Sequence, residues 1–142
     1  MSETKRYRKI ATIVAEQIPL GETRRVHTME GPATGTGPDW AVRANTARGE
    51  CWIIADDFFT SPHGYDRTGE CVDGLPVYRK KATADVLSYL VETDDHEPVE
   101  MHGMDAPFRP PKGYRIITQL DGTGRRAVEP TGFENDYRSI ED

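Results

Sequence analysis

The sequence predicts a mainly β protein, α+β at most, made of two tandem repeats that are each a small β-barrel-like or β-roll-like unit. Short β-branched runs recur between turns that contain Gly or Pro, and this pattern is typical of strands. One sequence motif also occurs twice. The length of 142 residues, with 36% hydrophobic and 30% charged residues, suits small cores rather than one large core.

An internal repeat is the clearest feature of the chain. The motif Tyr7-Arg8-Lys9-x-Ala11-Thr12 recurs as Tyr78-Arg79-Lys80-x-Ala82-Thr83, with every identity at one offset. Weaker matches follow in the same order and link Trp40 to Tyr114, Phe59 to Phe133 and Tyr65 to Tyr137. One duplication explains this order with few gaps.

The repeat predicts the domain organisation. Residues 1–66 form the first β repeat, residues 67–76 a connector and residues 77–142 the second β repeat, packed as one globular unit. Gly69, Gly74 and Pro76 are the kind of residues expected in a connector. Each repeat is expected to have four to five strands and a short C-terminal helix.

In the first repeat, strands are predicted at 10–18, 24–29, 40–44 and 51–54. The first is a β-branched run that ends at Pro19, and the third alternates apolar with variable positions. The last two are expected to pair as a hairpin. Asp56 or Asp57 is expected to cap a short helix that follows.

In the second repeat, strands are predicted at 84–91, 99–101, 114–120 and 126–129. Asp121-Gly122 is a strong hairpin signal between the last two. Thr131-x-x-Glu134 fits a capping box at the start of the C-terminal helix. Residues 84–91 also suit a helical turn; we prefer a strand because the matching segment of the first repeat is β-branched and ends at Pro19.

The motifs of the first repeat resemble those of the PGDYG family, a group of small phage and bacterial proteins. The residues that carry the resemblance are Tyr7-Arg8-Lys9, Thr28 to Gly31, Gly37-Pro38-Asp39-Trp40, Gly49-Glu50 and Phe59 through Tyr65. The chain departs from the family pattern in the inverted order Gly37-Pro38 and in Lys112-Gly113-Tyr114, which has no Asp. The resemblance implies a small β-rich unit, often encoded by phage, with no established chemistry.

Charge and composition disfavour several classes of function. The 24 acidic and 18 basic residues give a net charge of -6, which disfavours a binder of duplex DNA. No apolar run is long enough to span a membrane, and the first residues lack the apolar segment of an export signal. We therefore expect a soluble protein in the cytoplasm of a bacterial host, in which Cys51 and Cys71 are free thiols.

Catalytic and metal-binding patterns are weak. Asp56-Asp57 and Asp94-Asp95 are adjacent carboxylates, and neighbours on a strand face opposite sides. The four histidines are scattered and are interpreted as exposed loop residues. The sequence therefore predicts no catalytic residues, no metal site and no cofactor.

A binding site is better supported, because arginines lie near aromatic residues in the predicted hairpins. Arginine forks beside aromatic faces suit a phosphate-bearing or planar ligand. If a pseudo-twofold axis relates the repeats, equivalent hairpins bring these side chains together at the inter-repeat surface. The predicted ligand-binding residues are Arg43, Arg48, Arg115, Arg125, Trp40 and Tyr114.

The sequence thus favours a non-catalytic accessory protein of phage or mobile-element type. It would bind a small anionic, phosphate-containing ligand or a host protein through the inter-repeat surface, and a homodimer is left open. One alternative is an acidic inhibitor that mimics nucleic acid, and another is an enzyme of unknown class. A convergent His, Asp or Cys cluster in a cleft would favour the enzyme.

Overall fold

A computed structural model describes residues 3–46, 49–81 and 84–140. Strands predominate in these ranges, which confirms the predicted mainly β class. In chain order the elements are β1 (Lys5–Lys9), β2 (Ile13–Gln17), β3 (Thr23–Thr28), β4 (Gly31–Thr36), β5 (Trp40–Ala44), β6 (Cys51–Ile54), α1 (Asp56–Phe59), β7 (Tyr65–Val72), β8 (Leu75–Lys80), β9 (Val86–Leu90), β10 (Arg115–Gln119), β11 (Arg126–Val128), α2 (Pro130–Asp136) and β12 (Tyr137–Ser139).

The chain forms two compact units whose bounds differ from the predicted repeats. The C-terminal unit comprises Met1–Ile10, Ala84–Met101 and Ala106–Asp142, and the N-terminal unit comprises Ala11–Thr83 and His102–Asp105. Residues 67–76, predicted as a connector, lie in the paired strands β7 and β8 of the N-terminal unit. The division between the units is therefore not a single cut in the sequence.

The N-terminal unit contains an antiparallel sheet in the order β6-β5-β2-β8-β7 and a separate β3–β4 hairpin. One core cluster contains buried Ile13, Val42 and Phe59, with Trp40 and Trp52 partly buried against it. A second cluster, around Ile18, Ala33 and Ile53, packs under the hairpin. Gly35 permits this packing, because a Cβ there would lie 2.5 Å from Ile18 Cδ1.

The C-terminal unit contains an antiparallel sheet in the order β11-β10-β9-β1-β12. Residues 86–90 are a strand, so the alternative of a helical turn over 84–91 is wrong. Val86 and Ser88 are buried on one face of this strand, where long-range packing decides between the two local patterns. Helix α2 begins earlier than the predicted capping box. Its N-cap is Glu129, whose carboxylate accepts hydrogen bonds from the backbone of Thr131 and Gly132.

Helix α1 also differs from the prediction at its N-terminus. The N-cap is Ala55, with no side-chain hydrogen bond to the helix, whereas Asp56 and Asp57 lie in the first turn. Asp56 instead accepts hydrogen bonds from the side chains of Gln17 and Trp40. Carboxylates in the first turn still complement the helix dipole.

The two five-stranded sheets have matching strand orders. Each begins with a hairpin (β11–β10 or β6–β5), continues through β9 or β2, and then adds a strand with the Tyr-Arg-Lys motif, β1 or β8. The last strand, β12 or β7, begins with a tyrosine. The registers also match, since Lys9 pairs with Tyr137 and Lys80 pairs with Tyr65. The predicted duplication stays a prediction, and these matches are the structural observations that favour it.

The two Tyr-Arg-Lys strands are exchanged relative to the linear repeats. β1, from the start of the chain, lies between β9 and β12 of the C-terminal unit. β8, which begins the second predicted repeat, lies between β2 and β7 of the N-terminal unit. Residues 7–66 and 78–138 therefore do not correspond to two self-contained sheets.

Asp85 links β1 to the start of β9. Its carboxylate, 7% exposed, accepts hydrogen bonds from Arg8 Nε at 2.8 Å and from Arg6 Nη2 at 3.3 Å. The hydrogen bond from Arg8 holds the pKa of Asp85 below its ordinary value, although burial of the carboxyl group opposes this shift. The positive charges of both arginines lower the pKa further.

We expect the C-terminal unit to lose stability in acid through Asp85. Because the folded pKa lies below the unfolded value of about 3.9, the contribution of the ion pairs is complete above that pH. It disappears as the pH falls through the folded pKa. Asp85→Asn should weaken the acid dependence and cost about 1–3 kcal/mol near neutral pH.

Urea unfolding at pH 7 and pH 3 measures both effects. Asp66→Asn is the control, because Asp66 is exposed on β7 of the N-terminal unit. An acid dependence as steep in Asp85→Asn as in the wild type would contradict this prediction.

Candidate ligand-binding site

The predicted ligand-binding residues are divided between the two units. Trp40 and Arg43 lie on β5 of the N-terminal unit, whereas Tyr114, Arg115 and Arg125 lie on or next to β10 and β11 of the C-terminal unit. Arg48 lies outside the described residues. The candidate site is therefore built from the C-terminal unit alone.

The strand registers show that Arg115, and not Tyr114, occupies the position of Trp40. Trp40 pairs with Gln17, four residues after Ile13, which is paired with Tyr78. Arg115 pairs with Leu90, four residues after Val86, which is paired with Tyr7. The predicted match of Trp40 with Tyr114 is thus wrong by one residue.

The ring contacts agree with this assignment. The Trp40 ring stacks on Phe59 at 3.9 Å between centroids and meets Tyr78 edge-on at 5.7 Å. In the C-terminal unit, the Arg115 guanidinium carbon lies 4.7 Å from the centroid of Phe133 and 5.2 Å from that of Tyr7. A cation therefore replaces an indole against equivalent rings.

Three further positions on this face of the sheet are polar in the C-terminal unit. By the same registers, Ser88 corresponds to Ala15, Gln119 to Ala44 and Arg126 to Trp52. Residues directly opposite each other in an antiparallel sheet share a face, and so do residues two apart on a strand. We call Ser88, Arg115, Gln119 and Arg126 the polar face.

Arg115 is half-buried at the centre of this set. Its Nε donates to Ser88 Oγ at 3.1 Å, and its Nη2 donates to the Tyr7 hydroxyl at 3.1 Å. Ser88 is fully buried. Among the residues that the structure describes, no carboxylate lies within ion-pairing distance of Arg115. Its remaining N–H groups have no hydrogen-bond partner in the same part of the chain.

Gln119 adds a second polar group without a partner. The residue is 4% exposed, and its Oε1 accepts no hydrogen bond from any described residue. Burying such an oxygen without a hydrogen bond costs about 1–3 kcal/mol. At Arg115 and Gln119 the polar face therefore holds polar atoms that no described residue satisfies.

The other predicted site residues are used in local packing and pairing. The Nε1 atom of Trp40 donates to Asp56 Oδ1 at 2.8 Å, and the Tyr114 ring lies against Phe108 at 5.4 Å. Arg43 is half-buried on β5. Arg125 contacts Tyr89 and Glu97 and belongs to a separate cluster of side chains.

This second cluster centres on His96. The Tyr89 hydroxyl lies 2.7 Å from His96 Nε2, and His96 Nδ1 lies 2.7 Å from the backbone oxygen of Glu97. Arg125 donates from Nη2 to the Tyr89 hydroxyl at 2.9 Å, and its Nη1 lies 2.7 Å from Glu97 Oε1. Arg109 donates to the backbone oxygen of His96 at 2.6 Å.

The ion pair in this cluster shifts two pKa values. The hydrogen bond from Arg125 and its positive charge lower the pKa of Glu97. Burial lowers the pKa of Arg125, but hydrogen bonds to Glu97 and Tyr89 outweigh this effect and raise it overall. Both groups are therefore held in their charged forms.

Sequence reasoning found Arg115 and Arg125 but missed the residues around them. Arg126 is one of the arginines that the sequence places beside a predicted hairpin strand, whereas Ser88 and Gln119 become recognisable only when the two sheets are aligned by register. The sequence predicts that His96, like the other histidines, is an exposed loop residue, because Arg125 is distant from it in the chain. Its short spacing from Tyr89 was the one available signal.

Comparison with protein-family models, with curated proteins and with solved structures gives no match. The resemblance to the PGDYG family therefore stays a prediction. Within residues 3–46, 49–81 and 84–140, no group of three or more His, Cys, Asp or Glu side chains could hold a metal ion. In those same ranges, no helix has the length and apolar character needed to cross a membrane.

Proposed function

We propose that the polar face of the C-terminal unit is a non-catalytic site that binds a small phosphate-containing anion at Arg115. The observation that supports this function is a half-buried guanidinium packed against two rings, with no carboxylate of a described residue within ion-pairing distance. A charge removed from water is costly unless an opposite charge offsets it. A bound anion would supply that charge.

The geometry of Arg115 suits an anion with two adjacent oxygens, such as a phosphate. A guanidinium presents a planar fork of N–H donors that matches two oxygens of a phosphate or carboxylate. Ser88 and Tyr7 use one donor at Nε and one at Nη2, and the Tyr7 and Phe133 rings hold the plane in place. The remaining donors are therefore oriented before a ligand arrives.

The comparison between the units supports a functional origin for the polar face. The N-terminal unit builds the same strand order with Ala15, Trp40 and Ala44 at the corresponding positions. Polar residues are therefore not needed at these places to form the sheet. Natural proteins commonly sacrifice stability at binding sites, where polar groups await a ligand.

The test compares thermal melting of the wild type and Arg115→Met, with and without anions at low salt. The probes are inorganic phosphate and a panel of nucleotides and cyclic nucleotides. Methionine has a similar length and volume but no charge, so it suits the apolar contacts with Phe133 and Tyr7.

We expect Arg115→Met to melt at the same temperature as the wild type, or higher, when no anion is present. Methionine removes the donors to Ser88 and Tyr7, which costs about 1–3 kcal/mol where a buried acceptor is left unsatisfied. Removing a half-buried charge that no described carboxylate offsets is favourable and balances this cost. The wild type should gain about 2.7 kcal/mol at an anion concentration of 100 times Kd, and the variant should gain nothing.

Arg125→Met is the matched control, because Arg125 has its own carboxylate partner in Glu97. This variant should keep the anion-induced shift. A shift that is equal in the wild type and Arg115→Met, or the absence of any shift with every anion, would contradict the proposed function.

A further inference from the structure

An open groove of about 540 Å³ lies on the C-terminal unit, beside the cluster that contains His96. Its lining includes Tyr89, His96 and the carboxylate of Glu92, with Thr4, Leu90, Val91 and Thr93 around them. Glu92 disfavours highly charged phosphates, so the groove suits a phosphate ester of low charge. Ordinary small-molecule sites have volumes of roughly 300–1,000 Å³. Tyr89 pairs with Ile116 of β10, whereas Arg115 pairs with Leu90, so Tyr89 lies on the opposite face of the sheet from the polar face. Tyr89 and Arg115 therefore lie on opposite faces of the sheet, although the groove also includes Leu90, which pairs with Arg115.

The hydrogen bonds around His96 define its tautomer. A backbone carbonyl only accepts hydrogen bonds, so the proton of the neutral ring must lie on Nδ1, which faces the Glu97 oxygen. Nε2 is then the acceptor, and the Tyr89 hydroxyl donates to it over 2.7 Å. Tyr89 is thus paired with a base whose orientation is held by a third group.

Arg125 completes the arrangement beside the imidazole, with its Nη2 3.5 Å from His96 Nε2. Its Nη2 donates to the Tyr89 oxygen at 2.9 Å, while the contact with Glu97 is made by Nη1. A positively charged donor at this position stabilises negative charge on the phenolic oxygen when its proton moves to His96. A nucleophile, a base within hydrogen-bonding distance and an orienting group together form the usual pattern of an activated nucleophile.

We propose that the Tyr89 hydroxyl is a nucleophile that accepts a phosphoryl group from a phosphate ester bound in the groove. The Tyr89 oxygen forms the new bond to phosphorus, and the bond from phosphorus to the leaving oxygen breaks. The proton of Tyr89 passes to His96 Nε2 and then to the leaving oxygen. The products are O-phosphorylated Tyr89 and a free alcohol or phenol.

The test uses the phosphotriester diethyl 4-nitrophenyl phosphate with the full-length protein. Reaction releases 4-nitrophenol, followed by its absorbance, and leaves a diethylphosphoryl group on the protein, located by peptide mass spectrometry. Tyr7 is an internal control, because its hydroxyl also receives an arginine hydrogen bond but is paired with no imidazole. We expect Tyr89 to be modified at least tenfold faster than Tyr7.

Three variants assign the roles. Tyr89→Phe should abolish the fast release of 4-nitrophenol. His96→Gln, which keeps an amide able to contact Tyr89 and Glu97 but is not a base, should reduce Tyr89 modification to the rate of Tyr7. Arg79→Gln changes an exposed arginine on β8 of the N-terminal unit and should react like the wild type.

Circular dichroism and melting temperature establish that each variant is folded. Equal modification rates for Tyr89 and Tyr7 in the wild type would overturn the proposal. An undiminished Tyr89 rate in folded His96→Gln would overturn it as well. Neither result would bear on anion binding at Arg115, which is measured by a different variant.

Discussion

Replacing Gly64 by alanine is expected to destabilise the N-terminal unit by about 3 kcal/mol, at the upper end of the usual cost of overpacking. A Cβ at Gly64 would lie 1.9 Å from the backbone oxygen of Phe59 and 2.6 Å from that of Phe58. A backbone atom cannot relieve such a clash by changing rotamer, as the end of a flexible side chain can. The segment must therefore move as a whole.

That movement affects two hydrogen bonds that hold Gly64 in place. Its N–H donates to the oxygen of Ser61 at 3.0 Å, and its own oxygen accepts from the N–H of Lys81 at 3.0 Å. The nearest atom to the added Cβ is the carbonyl oxygen of Phe59. Phe59 belongs to the core cluster around Val42. Displacement at Gly64 therefore reaches the core of the unit.

Gly74→Ala in the same unit is the matched control. Gly74 has a φ of +81°, but no atom lies within 4 Å of an added Cβ. Only the left-handed backbone opposes alanine there, at a cost of roughly 1–2 kcal/mol. Urea unfolding of both variants measures the difference. Equal free energies of unfolding for the two variants would show that Gly64 is not a site of close approach.

The strand content of the fold was predictable where local patterns and packing agree. Residues 40–44 and 51–54 form the expected hairpin, in which Val42 is buried and pairs with Trp52. The strand at β9 was also predicted, although its local sequence suits a helical turn. The burial of Val86 and Ser88 in a sheet outweighs that local preference.

The β7–β8 hairpin shows how turn residues were misinterpreted. Asp73 and Gly74 have φ values of +52° and +81°, and Val72 pairs with Leu75 on either side of them. This is the two-residue hairpin turn for which Asp-Gly is the preferred sequence. The Asp-Gly signal correctly predicts the hairpin at Asp121-Gly122. At Asp73-Gly74 the predicted repeat boundary leads instead to a connector over residues 67–76.

The candidate site depended on register, which the sequence pattern did not specify. Matching Trp40 with Tyr114 aligns aromatic residues, whereas the sheets align Trp40 with Arg115. A slip of one residue moves every side chain to the opposite face of a strand. Arg115 was chosen from its proximity to aromatic residues, and the rings that it contacts, Tyr7 and Phe133, could not be identified without the fold.

For a related reason, the exchange of β1 and β8 between the two sheets could not be predicted from the sequence. β1 and β8 carry the same motif, so either strand satisfies the local pattern of either sheet. The pairing depends on contacts between residues far apart in the chain, such as Tyr7 with Val86 and Tyr78 with Ile13. Deleting one strand therefore distinguishes the exchanged arrangement from the linear one.

Deletion of residues 1–9 is expected to unfold the C-terminal unit and leave the N-terminal sheet protected. β1 separates β9 from β12, so its loss removes the hydrogen-bonded partner of both strands. It also removes Tyr7 from the core cluster around Phe133, and it removes both arginines that pair with Asp85. The three strands that remain, β9, β10 and β11, lose the apolar packing from Tyr7 that a small sheet needs for independent stability.

Amide hydrogen exchange measures this result segment by segment. In the deletion variant, residues 86–90 and 115–119 should exchange at the rate of unfolded chain, while residues 13–17 and 40–44 stay protected. Adding a synthetic peptide of residues 1–10 should restore protection in the C-terminal segments, because the missing strand is supplied in trans. If residues 1–66 instead formed one self-contained repeat, β1 would belong to the sheet of residues 13–54. The deletion would then expose residues 13–17 and 40–44 and leave residues 86–90 protected. Loss of protection at residues 13–17, with protection kept at residues 86–90, would therefore contradict the exchanged strand arrangement. Restored protection at residues 86–90 on adding the peptide would assign β1 to the C-terminal sheet.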